Sequence, residues 1–204
     1  MKLKKINKNL ERALIENDLL EVSSVLKEAF GTIKSGSDVV FKMENELERD
    51  ELIAVSVIQR LEKPFMESPR ALIVVPEKED ALQLFETIEL YAKYTGLRIF
   101  MCHEKTDLDE DKNLISLGID VLIGTPERLN LMLSVAGYDV NQLKMFVIDN
   151  LDEMLRKRLE TRLYRLSETI GKTQRMYLTH QETDRLEFFV EKTMLDSYWF
   201  SDEE

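Results

Sequence analysis

The sequence predicts an α/β domain on a mostly parallel sheet, with helices covering both faces. Three observations carry this. Short apolar runs rich in β-branched residues alternate with longer stretches of helical period. The runs are nearly continuous instead of alternating apolar with polar, as in strands buried on both sides. With 204 residues, 44% hydrophobic and 33% charged, the chain holds enough apolar material for one sizeable core and enough charge for its shell. No repeat, low-complexity tract or flexible linker interrupts it, so residues 36–204 read as one domain, with residues 1–35 as a helical region packed on it.

In chain order, the helical region covers residues 10–30 and leads into a turn at Ser35-Gly36-Ser37. The first strand, 39–43, is followed by a helix over 45–61 with Ala54, Val57, Ile58 and Leu61 on one stripe. Asn45 with Glu48 three residues on forms a capping-box-like start to it. A strand at 71–75 precedes a helix over 78–94, which carries Ala81, Leu84, Phe85, Ile88 and Tyr91 on one side and stops at Gly96. Further strands are expected at 97–102, 120–123, 145–149, 175–178 and 198–200. Helices start at Pro126 and Leu151, and another covers about 182–195.

Composition excludes several classes. The longest apolar runs are strand-length, far short of the roughly 20 residues a membrane helix needs. The basic start MKLKKINKNLERAL has no apolar segment behind it, which argues against a secretory signal. One cysteine, Cys102, rules out an internal disulfide and fits a reducing, cytoplasmic setting. Two histidines and that cysteine are too few for a zinc site, so no metal is expected. The net charge of −11 repels polyanions and sets nucleic-acid binding at a disadvantage.

Four short motifs, in order, carry a resemblance. The strand ALIVV at 71–75 runs into Pro76-Glu-Lys-Glu-Asp-Ala-Leu-Gln83. Then come DVLIGTPERL at 120–129, FVIDNLDEML at 146–155 and QRMYLT at 174–179. Their order and spacing resemble the N-terminal RecA-like domain of DEAD-box RNA helicases, over residues of about 20 to 200. The four correspond to motifs Ia and Ib, the signature tetrapeptide (here Asp149-Asn150-Leu151-Asp152) and the strand into motif III (here Thr179-His180-Gln181). The resemblance implies a three-layer α/β/α RecA-like, P-loop NTPase-like fold. It also implies that Lys78, Thr125, Pro126 and Arg128 stand where the family touches the RNA backbone, and that Asp152 bonds towards Thr179.

The departures from the family are equally specific. Met43-Glu-Asn-Glu-Leu-Glu-Arg-Asp50 stands in place of the Gly-rich phosphate loop and contains no glycine. Glu44, Glu46 and Glu48 bring negative charge there; a close anion pair costs about 1 kcal/mol in water and about 4 at an effective dielectric near 20. Arg49 replaces the lysine of the loop, Asp50 the metal-holding hydroxyl, and no adenine-reading glutamine is found near Leu26. Asn150 stands in place of the water-activating glutamate; loss of a general base typically costs about 10²–10⁴ in rate. The chain stops at Glu204, where the family's linker to a second RecA-like domain would begin.

Each candidate residue has a plainer reading. Asp149 is a metal-water ligand or, preferred, the N-cap of the following helix, and Asp152 is preferred as a first-turn helix carboxylate. Thr125 and Pro126 make a helix start, with Arg128 on the surface. Glu77 and Glu127 intrude on the face where RNA would lie, and His103 reads as a surface-loop residue. The run Arg156-Lys157-Arg158, with Arg162 and Arg165, reads as a solvated face bridged by Glu153, Glu160 and Glu168. Tyr198, Trp199 and Phe200 read as core, and the acidic tail as solvated.

The leading expectation is a catalytically degenerate helicase-like domain, not an enzyme, with no cofactor, acting through an unidentified protein partner. An ATP-independent RNA-binding domain is the alternative, with weak RNA affinity, and a functional ATP-dependent helicase comes third. No membrane association is expected.

Overall fold

The computed structural model describes residues 3–19 and 21–202. Met1, Lys2 and Leu20 of the expected helical region, and Glu203 and Glu204 of the acidic tail, lie outside the described residues. Among the described residues, seven strands form one sheet: β1 Asp38–Lys42, β2 Ala71–Val74, β3 Ile99–Cys102, β4 Val121–Gly124, β5 Met145–Ile148, β6 Gln174–Thr179 and β7 Ser197–Ser201. The order is β3-β4-β2-β5-β6-β1-β7, and every neighbouring pair is parallel.

The helices are α1 Lys8–Glu16, α2 Ser24–Ser35, α3 Glu46–Leu61, α4 Lys78–Ala92, α5 Leu108–Ser116, α6 Pro126–Ser134, α7 Leu151–Arg156, α8 Glu160–Thr169 and α9 Asp184–Thr193. No helix of the described residues is long and apolar enough to cross a membrane.

The period of two along each strand explains why the strands read as continuous apolar runs. Ala71, Ile73 and Val75 join a core under α1–α4, whereas Leu72 and Val74 join a second core under α5–α9. In β5, Met145 and Val147 face the first core and Phe146 and Ile148 the second. A register slip of one residue would exchange the two sets, so the two apolar layers fix the pairing. This is the three-layer RecA-like arrangement.

Several elements differ from expectation. The N-terminal helical region is two helices, because two separate caps start it: Asn7 accepts from the amides of Asn9 and Leu10, and Ser23 from that of Leu26. Helix α5 has too few apolar residues to form a stripe; Asp107 starts it, accepting from the amides of Asp109 and Glu110. The basic run is not one helical face, since the chain breaks between α7 and α8 with Arg158 at φ 61°. Of the three C-terminal aromatics, only Phe200 packs inward, stacked on Phe41 at 5.5 Å; Tyr198 is 55% and Trp199 39% exposed. Strand β7 is one of the two sheet edges and pairs with a neighbour on one side only.

Because every strand is parallel, the carboxyl ends of β1, β2, β4 and β5 meet the amino ends of α3, α4, α6 and α7 along one rim. In open α/β sheets, ligands bind along that rim.

Candidate functional site at the carboxyl rim of the sheet

The turn between β1 and α3 is three residues long: Met43, Glu44 and Asn45. All three are engaged. The Met43 amide donates to Thr179 O at 2.9 Å, and the Glu44 amide donates to Asp202 Oδ2 at 3.0 Å. Asn45 Oδ1 accepts from the amides of Leu47 and Glu48 at 3.1 and 3.4 Å, and its Nδ2 donates to Glu48 Oε1 at 3.2 Å. Asn45 thus occupies the unpaired amides that make a helix start attractive to anions.

Just inside α3, Arg49 turns into the sheet rim and is only 2% exposed. Its Nε lies 3.4 Å from Asp149 Oδ1, and its guanidinium contacts the His180 ring, with Nη1 3.2 Å from Nδ1. Arginine only donates, so the facing ring nitrogen accepts. The pairing with Asp149 is close in distance but poor in direction: neither Arg49 Nε nor Asp149 Oδ1 has a hydrogen-bond partner. Burial pushes the Asp149 carboxyl up to about 7, against the pull of Arg49 and with a further push from Asp50. Asp50 accepts from Gln83 Nε2 at 2.6 Å, and burial raises its carboxyl to about 6.

Asp149 is not the N-cap of α7. Its amide continues the β5 ladder by donating to Val74 O at 2.9 Å, so the chain changes course one residue later. Asn150 is the cap residue, left-handed at φ 52° and ψ 44°, a conformation asparagine tolerates better than most residues. Its side chain makes no cap bond, and its Oδ1 is buried without a partner. Asp152 reaches motif III one residue beyond the expected Thr179, accepting from the His180 amide at 3.1 Å. Thr179 instead donates to Gln181 O at 2.8 Å.

Along the same rim, Thr125 caps α6 by accepting from the Arg128 amide and also bonds Glu104, and Pro126 is buried at the first helical position. The preceding Gly124 is needed for space, since a Cβ there would lie 2.9 Å from Leu129. Arg128 is not on the surface. It is buried against α5, with Nη2 3.1 Å from Asp111 Oδ2 and 2.9 Å from Thr106 Oγ1, and it also donates to Thr106 O. His103, expected in an exposed loop, is buried too and accepts from the Lys105 amide at 3.2 Å. Lys78 stands half-buried at the first position of α4.

The intruding acids are paired. Glu77 Oε1 lies 2.5 Å from Lys157 Nζ, and Glu127 Oε1 lies 3.1 Å from Arg162 Nη2. Lys157 also meets Glu153, the one expected partner within the basic run. Sequence reasoning assigned no role to Gln83, His180, Glu104 or Asp111. Gln83 and His180 stood in recognised motifs, whereas Glu104 and Asp111 carried no signal.

A parallel sheet in this order, covered on both faces and with this rim, defines a RecA-like domain of the helicase type. The chain belongs to the DEAD/DEAH box helicase family, whose model matches residues 24–181. It is 25% identical over 178 residues to the ATP-dependent RNA helicase eIF4A of Eremothecium gossypii, covering 87% of this chain and 44% of that protein. It is 29% identical over 144 residues to eukaryotic initiation factor 4A of Caenorhabditis elegans, covering 70% of this chain and 35% of that one. The chain therefore spans less than half the length of these curated relatives. Among solved structures, S. cerevisiae Dbp5 bound to Gle1 and IP6 superposes with a TM-score of 0.85 at 16% identity, over 98% of this chain and 51% of that one.

Proposed function

We propose that this chain is a catalytically degenerate DEAD-box RecA-like domain that acts as a protein-interaction or regulatory module without ATP hydrolysis. The observation that carries this reading is the Arg49 side chain, buried between Asp149 and His180 behind a closed three-residue turn. The residues of the rim do not fit a magnesium nucleotide. Asn45 already holds the amides that would meet a phosphate, Glu44, Glu46 and Glu48 repel one, Asp50 is bonded to Gln83, and Asn150 has no basic group. Dbp5, which shares the fold, is known in a complex with a protein partner, Gle1, and a partner-binding role is the one we assign here. We place the protein in the cytoplasm, from its single, buried cysteine.

A thermal-shift titration with Mg-ATP tests the reading, because a ligand that binds only the native state raises its melting temperature. No rise at millimolar nucleotide is expected. ATP hydrolysis by the pure protein that disappears in Asp149→Ala overturns the proposal.

A second reading, ATP-independent RNA binding, draws on Lys78 and on the exposed Arg156 and Arg158. Opposing it are the burial of Arg128 and the pairing of Lys157 and Arg162 with Glu77 and Glu127. A gel shift at low salt, lost in Lys78→Ala/Arg156→Ala, would establish it; no shift at about 50 mM salt removes it.

A further inference from the structure

The strongest unassigned feature lies against α2. There the N-terminal segment folds back over the helix and borders an open cleft of about 330 Å³, at the low end of the roughly 300–1,000 Å³ typical of small-molecule sites. Lys4, Lys5, Lys27 and Lys34 line it over a floor of Phe30 and Gly31. Among the described residues no carboxylate lines it, in a chain where 39 acids outnumber 28 bases.

The cavity is held in place. Lys34 Nζ donates to Lys4 O and Lys5 O at 3.1 and 3.2 Å and stands 5.4 Å from the Phe30 ring centroid. The Asn7 amide donates to Gln59 Oε1 at 2.7 Å, and Leu3 and Ile6 pack on the core. Lys5 is left-handed at φ 58°, an uncommon conformation for lysine, within the tight fold-back that brings Lys4 and Lys5 to the cavity. A Cβ built on Gly31 meets nothing within 4 Å, so the floor is open there. Lys34 has an ordinary explanation, since a cation in the last turn of a helix complements the dipole. That explanation does not extend to Lys4, Lys5 or Lys27, which converge from two separate stretches of chain.

We propose that this cavity binds a compact group carrying two or more phosphates. Four lysines converge on one small volume with no carboxylate among its described lining residues, and their charge is complementary to such a group. The site is separate from the carboxyl rim and does not depend on the reading given to it.

The test uses the full chain and tripolyphosphate, without magnesium or nucleotide, at constant ionic strength. Thermal-shift titration is expected to give a saturable rise in melting temperature. Lys5→Ala/Lys27→Ala should bind about tenfold more weakly, as expected for loss of two close cations. Lys144→Ala/Lys172→Ala, which removes the same charge at exposed sites elsewhere, should bind like the parent. Co-sedimentation with phosphatidylcholine vesicles containing phosphatidylinositol bisphosphate identifies the source. Sedimentation lost in Lys5→Ala/Lys27→Ala assigns a lipid headgroup, and its absence beside a positive titration assigns a free phosphate compound. No saturable shift, or equal weakening in both double variants, overturns the proposal.

Discussion

Two buried carboxylates at opposite ends of the sheet strands show how burial acts on a fully bonded acid and on an incompletely bonded one in the same molecule. Asp120, just before β4, accepts from Arg70 Nη2 at 2.7 Å, Arg98 Nε at 2.8 Å and the amides of Phe65 and Arg98. Burial alone would raise its carboxyl, but the bonds from Arg98 and Arg70 outweigh burial and hold it below the usual range. Asp149, just after β5, has one arginine at 3.4 Å in poor alignment and an oxygen with no hydrogen bond. There burial wins, and the carboxyl rises to about 7. Both acids have an arginine; only Asp120 has its lone pairs filled. Arg49, Asp149 and Asn150 each have an unpartnered buried atom at this rim, and beside Asp120 Arg70 Nε is unpartnered too.

The largest effect expected is on Asp120→Ala, which leaves Arg70 buried without its counter-ion. It should cost about 3–5 kcal/mol in chemical denaturation at neutral pH. A loss below about 1 kcal/mol would erase the distinction between the two acids.

The pH dependence of the two acids should have opposite signs. Asp149 is raised from 3.8 unfolded to about 7 folded, so the folded state binds the extra proton. Its contribution to stability is fully present below 3.8 and is lost as pH rises through about 7. Asp120 is lowered, so its contribution is present above 3.8 and lost only in stronger acid. The melting temperature should therefore fall from pH 5 to about pH 8, and Asp149→Asn should flatten that slope. Asp50, raised to about 6, leaves a smaller residual slope in the variant.

A smaller effect is expected at the α6 start. Thr125→Ala removes the cap and should cost about 1 kcal/mol in denaturant midpoint experiments. At the exposed Glu77–Lys157 pair, Glu77→Gln should leave the melting temperature unchanged within error, since both groups are solvated.

The inner strands were legible because burial on both faces writes itself as an apolar run, and the helices beginning at 126 and 151 were marked by Pro126 and by the acids after Asn150. What was not legible traces largely to one element. Helix α5 presents no stripe, only Ile115 as buried apolar, so it gave no helical period. With α5 unseen, Asp111 had no place, and Arg128 lost the partner that draws it inside. The break at Arg158 was hidden for another reason, because no glycine or proline marks it. At the rim, the identities of Arg49, Asp50 and Asn150 were readable, but the inward turn of Arg49 was not. Its direction depends on Asp149 and His180, which are distant in sequence and meet only in the folded sheet.

The position of β1 in the sheet has a consequence for how the chain is made. This strand lies between β6 and β7, and the bond from the Arg175 amide to Asp38 spans 137 residues. At about 5–20 residues per second, the ribosome needs on the order of ten seconds to supply that partner. During this interval Val39, Val40 and Phe41 have neither neighbour, and a bare apolar strand is a ready template for wrong pairing. Helices α1 and α2, synthesised just before it, share a core with Val39 and Phe41, whereas Val40 faces the other core, whose helices come later in the chain.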